Sequence, residues 1–232
     1  MEKIHIQIDN QESQVFPPPY EENAIISTFV ASRRKYLIAK RFFDIAISLL
    51  LITLLFIWII PIISLAIVLN SRGPIFFLQK RVGLNGSIFT CIKFRSMYVN
   101  HEAHEKPAEE NDPRITSVGK FLRKTKIDEL PQLFNVLIGD MSLTGPRPHM
   151  IADCHRFSFV VSSYKFRNLM KPGITGLAQI KGYRGPATDY ESIQNRYFWD
   201  SVYVKKASMT LDVKILYETF IAGIKDCFFR KQ

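Results

Sequence analysis

The chain has 232 residues, 47% of them hydrophobic and 22% charged, with a formal net charge of +10 and a pI near 9.5. This length fits one domain with little room for a second, and the basic balance suits an anionic partner: nucleic acid, an acidic membrane surface or a phosphorylated substrate. Cys91, Cys154 and Cys227 are far apart and without CxxC spacing, which excludes a disulfide framework or a zinc site and agrees with a reducing compartment.

Residues 1–32 read as a flexible polar lead, in which Pro17-Pro18-Pro19 favours an extended polyproline conformation. Residues 45–71 then carry no charged side chain. As a straight helix they would reach about 40 Å, longer than the roughly 30 Å hydrocarbon core of a bilayer. The segment is too long and too late in the chain for a cleaved signal peptide. Pro61 lies inside it and is expected to break or kink the helix. Arg33, Arg34, Lys35, Lys40 and Arg41 precede the segment, and Arg72, Lys80 and Arg81 follow it. Basic residues at both ends fit a helix that enters the membrane, bends and returns to the same face; an ordinary kinked span remains the alternative.

Residues 76–97 alternate short apolar runs with turn signals at Gly83 and Asn85-Gly86, predicting a β-hairpin. Residues 98–113 read as a surface loop or short solvated helix, and His101 and His104 beside Glu102 and Glu105 read as part of that loop in preference to a metal site. Residues 119–138 are helix-friendly, interrupted by Pro131, and the Pro/Gly positions from Gly145 to Gly176 mark loops between short elements. Near the C-terminus Leu211, Ile215, Leu216, Thr219, Phe220, Gly223, Ile224, Cys227 and Phe228 share one helical face, with Asp212, Lys214, Glu218, Lys225 and Asp226 off it. Such a helix lies in a membrane interface, with Phe229, Arg230 and Lys231 as an anchor, or packs on a core.

Five stretches carry the candidate chemistry: Lys93-Phe94-Arg95-Ser96-Met97, Asp112-Pro113-Arg114, Asp128-Glu129-Leu130-Pro131-Gln132-Leu133, Gly145-Pro146-Arg147-Pro148 and Lys171-Pro172-Gly173-Ile174-Thr175-Gly176. Asp128 and Glu129 are adjacent, so on a helix their side chains diverge by about 100° and cannot face each other across one bond. They can still meet one phosphate, one as nucleophile or metal ligand and the other handling a proton. Lys93, Arg95, Arg114, Arg123 and Arg147 are candidate phosphate-binding cations.

In this order the motifs closely resemble the bacterial sugar transferase family, the monotopic polyprenol-phosphate phosphoglycosyl transferases. The likeness runs from about Lys40 to the C-terminus and includes Gly73-Pro74-Ile75-Phe76-Phe77 with Gln79 and Arg81. It implies a mixed α/β, mainly helical fold: residues 33–72 as a re-entrant membrane helix broken at Pro61, and residues 73–232 as a cytosolic, membrane-associated catalytic domain with a β-hairpin and interfacial amphipathic helices. Ile60 stands where the family often has a serine, so a hydroxyl bond stabilising the bend would come from Ser64 or Thr53.

The resemblance also implies Asp128 as nucleophile and magnesium ligand, Glu129 as its partner carboxylate, and Lys93, Arg123 and Arg147 at the phosphate site. Asp140 and Gln179 are further matched positions. The implied reaction moves a sugar-1-phosphate from a UDP-sugar to a polyprenol phosphate at the cytosolic face of the bacterial inner membrane, with Mg2+ as cofactor and a covalent intermediate on Asp128. Gly176-Leu177-Ala178-Gln179-Ile180, Gly182-Tyr183-Arg184-Gly185 and Pro148-His149 look most like the hexose-using members. A homodimer and downstream glycosyltransferases are compatible partners; nucleic acid is not expected. The rivals are a membrane hydrolase using the same site with water as acceptor, and a basic membrane-anchored scaffold without catalysis.

Overall fold

The structure, a computed structural model, describes residues 19–104, 106–109, 112–185, 187 and 189–228. The lead up to residue 18 and the anchor read at Phe229-Arg230-Lys231 lie outside those residues.

Helix α1 (Pro19–Leu51) begins within the stretch read as a flexible lead. Near its middle, Phe29, Tyr36 and Leu37 pack on a core containing Tyr203, Val204 and Ile215. α1 runs through a π-helical turn (Ile52–Phe56) into α2 (Ile57–Asn70). Residues Ala31–Asn70 are, by length and composition, apolar enough to cross a membrane. Contrary to the expected break, helical geometry continues through Pro61. The irregularity falls upstream, at the wider turn, which absorbs the clash and lost hydrogen bond that a proline imposes on the turn before it. Of the two hydroxyls named for this role, Thr53 Oγ1 donates to the Leu49 carbonyl at 2.9 Å, just where the helix widens.

One stripe of this long helix faces the rest of the molecule and carries polar groups. Lys40, Asp44 and Ser48, four residues apart, are all buried. Lys40 Nζ contacts Thr144 Oγ1 at 2.6 Å and Asp212 at 3.0 Å, and Asp44 accepts from the Leu143 N–H at 3.1 Å. Arg41 donates to the Val136 and Leu137 carbonyls that end α4 (Gln132–Ile138). The opposite face leaves Phe42, Leu50, Leu54, Ile57, Trp58, Ile62, Leu65 and Leu69 exposed. So large an apolar surface calls for a nonaqueous neighbour.

Strands β1 (Phe76–Val82) and β2 (Ile88–Phe94) form the predicted hairpin, antiparallel, with Val82 opposite Ile88. Asn85 and Gly86 take positive φ in the turn, as the sequence signal requires. Along β1, Phe77, Gln79 and Arg81 stand opposite Lys93, Cys91 and Phe89 of β2, which places these side chains on one face. The helix-friendly region splits into α3 (Ser117–Thr125), a 3-10 turn (Ile127–Glu129) and α4, with Pro131 at the N-cap of α4.

β3 (Ser142–Thr144) and β4 (Gly173–Thr175) pair in parallel and align the two Pro/Gly motifs. A Cβ on Gly145 would meet the Lys171 carbonyl at 2.3 Å, so glycine here is a requirement of close backbone approach. Helices α5 (Ile151–Val160), α6 (Leu177–Ile180), α7 (Tyr190–Lys206) and α8 (Met209–Phe228) complete the domain.

α8 packs on the core through Leu211, Ile215 and Leu216, and leaves Val213, Tyr217 and Phe220 exposed. Two placements read from periodicity are corrected. Asp212 is buried at 1% exposure, and Phe220 is 65% exposed. The inward stripe runs through 212, 215 and 219 at helical spacing, because Asp212 has Lys40 to meet.

Gly119 supplies a prediction whose sign separates packing from propensity. A Cβ there would lie 1.9 Å from the Ser96 carbonyl oxygen. Propensity alone makes Gly119→Ala stabilising by up to about 1 kcal/mol. Overpacking against backbone predicts the opposite, a loss of about 1–3 kcal/mol, to be read by thermal unfolding.

Candidate active site

Asp128 and Glu129 reach one cleft because the chain turns sharply after α3. Thr116 caps α3 by accepting from the Gly119 N–H at 2.9 Å, and Lys126 ends it in the left-handed conformation at φ 62°. The 3-10 turn that follows points the two carboxylates in different directions, and their surroundings differ as sharply. Glu129 Oε1 accepts from Lys93 Nζ at 2.8 Å and from Arg147 at 2.7 Å. Although burial opposes ionisation, Arg147 and Lys93 hold the Glu129 carboxyl well below the ordinary range. Asp128 is buried at 8% exposure, and its Oδ1 has no hydrogen-bond partner. Burial, reinforced by the neighbouring Glu129 charge, pushes its proton affinity up. One carboxylate is locked into an ion triad; the other keeps its lone pairs available.

The cleft has a volume of about 620 Å³. Its lining includes Arg81, Lys93, Arg95, Arg123, Lys126, Arg147, Arg184 and Arg196, against Asp128, Glu129 and Asp153. Such an excess of positive charge around a buried carboxylate suits a polyphosphate ligand.

Of the residues singled out from sequence, Asp128, Glu129, Lys93, Arg95, Arg123 and Arg147 line this cleft, while Arg114, Asp140 and Gln179 do not. Arg95 lines the wall but commits its guanidinium to the Ser71 and Arg72 carbonyls at 2.6 and 3.0 Å, tying β2 to the end of α2. Arg123 touches Ser96 Oγ at 3.3 Å. Arg114 makes three contacts of 2.6–3.1 Å to the Asp112 carboxylate and a fourth to the Pro107 carbonyl, clamping the 98–113 loop. Side-chain bonds from Arg114 drive the Asp112 carboxyl far below its usual range.

Asp140 accepts from Asn135 at 3.4 Å, and Asn135 in turn bonds the backbone of Ile92 and Thr90; Asp140 therefore braces β2 from behind. Gln179 is buried in α6 and donates to the Ile174 carbonyl at 3.3 Å. The His101–His104 turn leaves Glu102 exposed and paired with Lys106, and among the described residues no group of three His, Cys, Asp or Glu could hold a metal.

Sequence reasoning did not single out Arg81, Arg184 and Arg196 as cleft residues. Arg81 was detectable in principle, since it alternates with Phe77 on the strand opposite Lys93. Arg196 lies in the middle of α7, within no motif.

The site thus has the makings of a nucleophilic displacement at phosphorus: a carboxylate with available lone pairs, a cationic wall and a second carboxylate that orders it. The family model described as bacterial sugar transferase matches residues 35–226, and the chain belongs to that family. It is 42% identical to the UDP-glucose:undecaprenyl-phosphate glucose-1-phosphate transferase of Klebsiella pneumoniae over 81% of this chain and 40% of that protein. It is also 42% identical to the UDP-N-acetylgalactosamine-undecaprenyl-phosphate N-acetylgalactosaminephosphotransferase of Aeromonas hydrophila, over 79% of this chain and 43% of that one. The exopolysaccharide production protein PSS of Rhizobium leguminosarum bv. phaseoli is 40% identical over 81% of this chain and 96% of its own length. The chain spans about 40% of the length of the first two relatives.

Proposed function

We propose that this chain transfers a sugar-1-phosphate from a UDP-sugar to undecaprenyl phosphate and releases UMP. The observation that carries this reading is the contrast within one turn between Glu129, held in an ion triad, and Asp128, whose Oδ1 has no partner in a cationic cleft. An Asp128 oxygen attacks the sugar-bearing phosphorus, the bond to the nucleotide phosphate breaks, and UMP departs. An oxygen of the lipid phosphate then attacks the same phosphorus, the bond to Asp128 breaks, and the carboxylate is regenerated. Lys93 and Arg147, held in place by Glu129, and Arg123 face the charge that builds on the phosphoryl oxygens.

Magnesium is compatible with these residues. A single buried carboxylate oxygen without a partner suits a hydrated ion completed by substrate phosphates better than a closed protein cage. When bound at Asp128 it would neutralise diphosphate charge.

The membrane disposition proposed is re-entrant, with the domain on the cytosolic face of the bacterial inner membrane. Both ends of the apolar helix are tied to the same domain. Arg33 donates to the Lys205 carbonyl at 2.5 Å, and Asn70 bonds Ser117 Oγ at 2.8 Å and the Val118 N–H at 3.2 Å. A simple span would put these ends on opposite sides of a roughly 30 Å core. Cysteines introduced for Lys35 and Arg72 are therefore expected to react with an impermeant reagent from the same face of oriented vesicles; labelling from opposite faces refutes the re-entrant reading.

A hexose donor is favoured by the His149 and Gly182-Tyr183-Arg184-Gly185 motifs. A UMP-release assay with UDP-glucose, UDP-galactose and UDP-N-acetylgalactosamine tests this. With undecaprenyl phosphate present, turnover continues; without it, release stops at about one UMP per enzyme, as a covalent first half-reaction requires. Continued release with free sugar phosphate and no lipid would establish the hydrolase instead.

A further inference from the structure

The cleft has a second cationic corner, formed by Arg81 and Arg196, at which no carboxylate lies within ion-pair distance among the described residues. Arg81 donates to the Pro148 carbonyl at 3.0 Å and to Gln79 Oε1 at 2.5 Å, and Arg196 donates to the Gly185 carbonyl. Each leaves a buried Nε without a partner, and among the described residues neither pairs with a carboxylate. Elsewhere in the molecule Arg114, Arg147 and Arg167 are each matched by Asp or Glu. Of those that are not, Arg95 closes the carbonyls at the end of α2 and Arg41 those at the end of α4. For both, burial outweighs the carboxylates in range, Asp153 and Glu129 for Arg81 and Asp200 for Arg196, and disfavours the charged guanidinium; a ligand anion is the natural compensation.

His149, buried at 3% exposure, lines the same cleft, near enough for both arginine charges to bear on its ring. Phe157 packs edge-on to its ring with centroids 5.3 Å apart, Nδ1 meets the Tyr164 hydroxyl, and Nε2 has no partner. Burial, together with Arg167, Arg196, Arg81 and Arg147, keeps the imidazole neutral far below its usual range. In the tautomer in which the Tyr164 hydroxyl donates to Nδ1, Nε2 carries the hydrogen and is a neutral donor.

We propose that Arg81, Arg196 and His149 Nε2 hold the phosphate that leaves with the nucleotide. This assignment rests on the transferase reading above. As the Asp128 oxygen bonds to the sugar-bearing phosphorus, the bridging P–O bond breaks and its electron pair stays on the nucleotide phosphate. The charge gained there falls on this corner, with no proton needed for balance.

A phosphate could also come from the lipid acceptor, and packing argues for the nucleotide. The cluster beneath the corner, Phe157, Tyr164, Ala187 and Ile193, includes no residue of α1 or α2 among those described. The Asp128 end instead rests on α2, through Ile63 and Ile67 against Phe94 and Leu122. The His149 side of the corner thus packs away from the apolar helix.

The test measures UMP and uridine binding by calorimetry on the full chain in detergent. Arg81→Gln and Arg196→Gln are each expected to weaken UMP tenfold or more, with uridine affinity and kcat/KM for undecaprenyl phosphate unchanged. UMP affinity within twofold of wild type in both folded variants overturns the proposal, as does a loss confined to the lipid phosphate. Wild-type protein that binds no UMP sinks the transferase reading along with it. Should the variants not fold, arginine modification by phenylglyoxal on wild type decides: UMP is expected to shield Arg81 and Arg196, and shielding by a short polyprenyl phosphate alone overturns the assignment.

Discussion

Asp128→Asn is expected to abolish turnover while leaving the fold as stable as wild type or more so. The amide keeps the shape of the side chain but cannot form the acyl-phosphate bond, so UMP release should fall by on the order of 10⁴-fold or more. Stability should move the other way. Asp128 is 8% exposed, and its Oδ1 is unpartnered; folding thus buries a carboxylate at a cost that the asparagine avoids. Glu129→Gln supplies the contrast. It removes the charge that Lys93 and Arg147 share, and should lower both activity and melting temperature. Measuring both variants by UMP release and thermal unfolding separates a chemical role from a structural one. Full turnover in Asp128→Asn, or a melting temperature well below wild type, contradicts the assignment.

Asp212→Ala should produce the largest loss of stability among single changes outside the cleft. Its carboxylate gathers Lys40 at 3.0 Å, Thr144 at 2.7 Å, Tyr203 at 2.8 Å and Tyr36 at 2.8 Å, joining α1, β3, α7 and α8. Lys40 and Asp212 are 6% and 1% exposed at the side chain. Removing the carboxylate strands a buried ammonium, a defect that costs about 3–5 kcal/mol. In a protein of this size that is a fall of roughly 6–20 °C in melting temperature. The double change Asp212→Ala with Lys40→Met removes the stranded charge and should recover much of the loss. If the single change costs under about 1 kcal/mol, or the second gives no recovery, the network is not what docks the apolar helix on the domain.

Several features of the fold follow from local chemistry and were legible before any coordinates. The hairpin announced itself through Asn85-Gly86, where positive φ is needed. Glu129, Lys93 and Arg147 sit in ordered motifs, and the structure brings all three together. A charged residue in a matched stretch need not turn its charge to the cleft. Arg114 bonds the carboxylate two residues before it, Arg95 closes α2, and Asp140 works through Asn135. Each is a motif residue whose partner is protein.

Local residue order lays down the apolar helix, the hairpin, the start of α4 at Pro131 and the carboxylate pair, because these depend on residues within one turn or one strand of each other, whereas the end of α3 at Lys126 carries no such signal. Packing across the chain sets which carboxylate keeps an unpartnered oxygen, turns Asp212 inward to Lys40, and brings Arg81, Arg196 and His149 to one cleft. Those outcomes depend on groups brought together across 18 to 172 residues of chain, beyond the reach of any helical or strand period, and burial sets the value of every pairing.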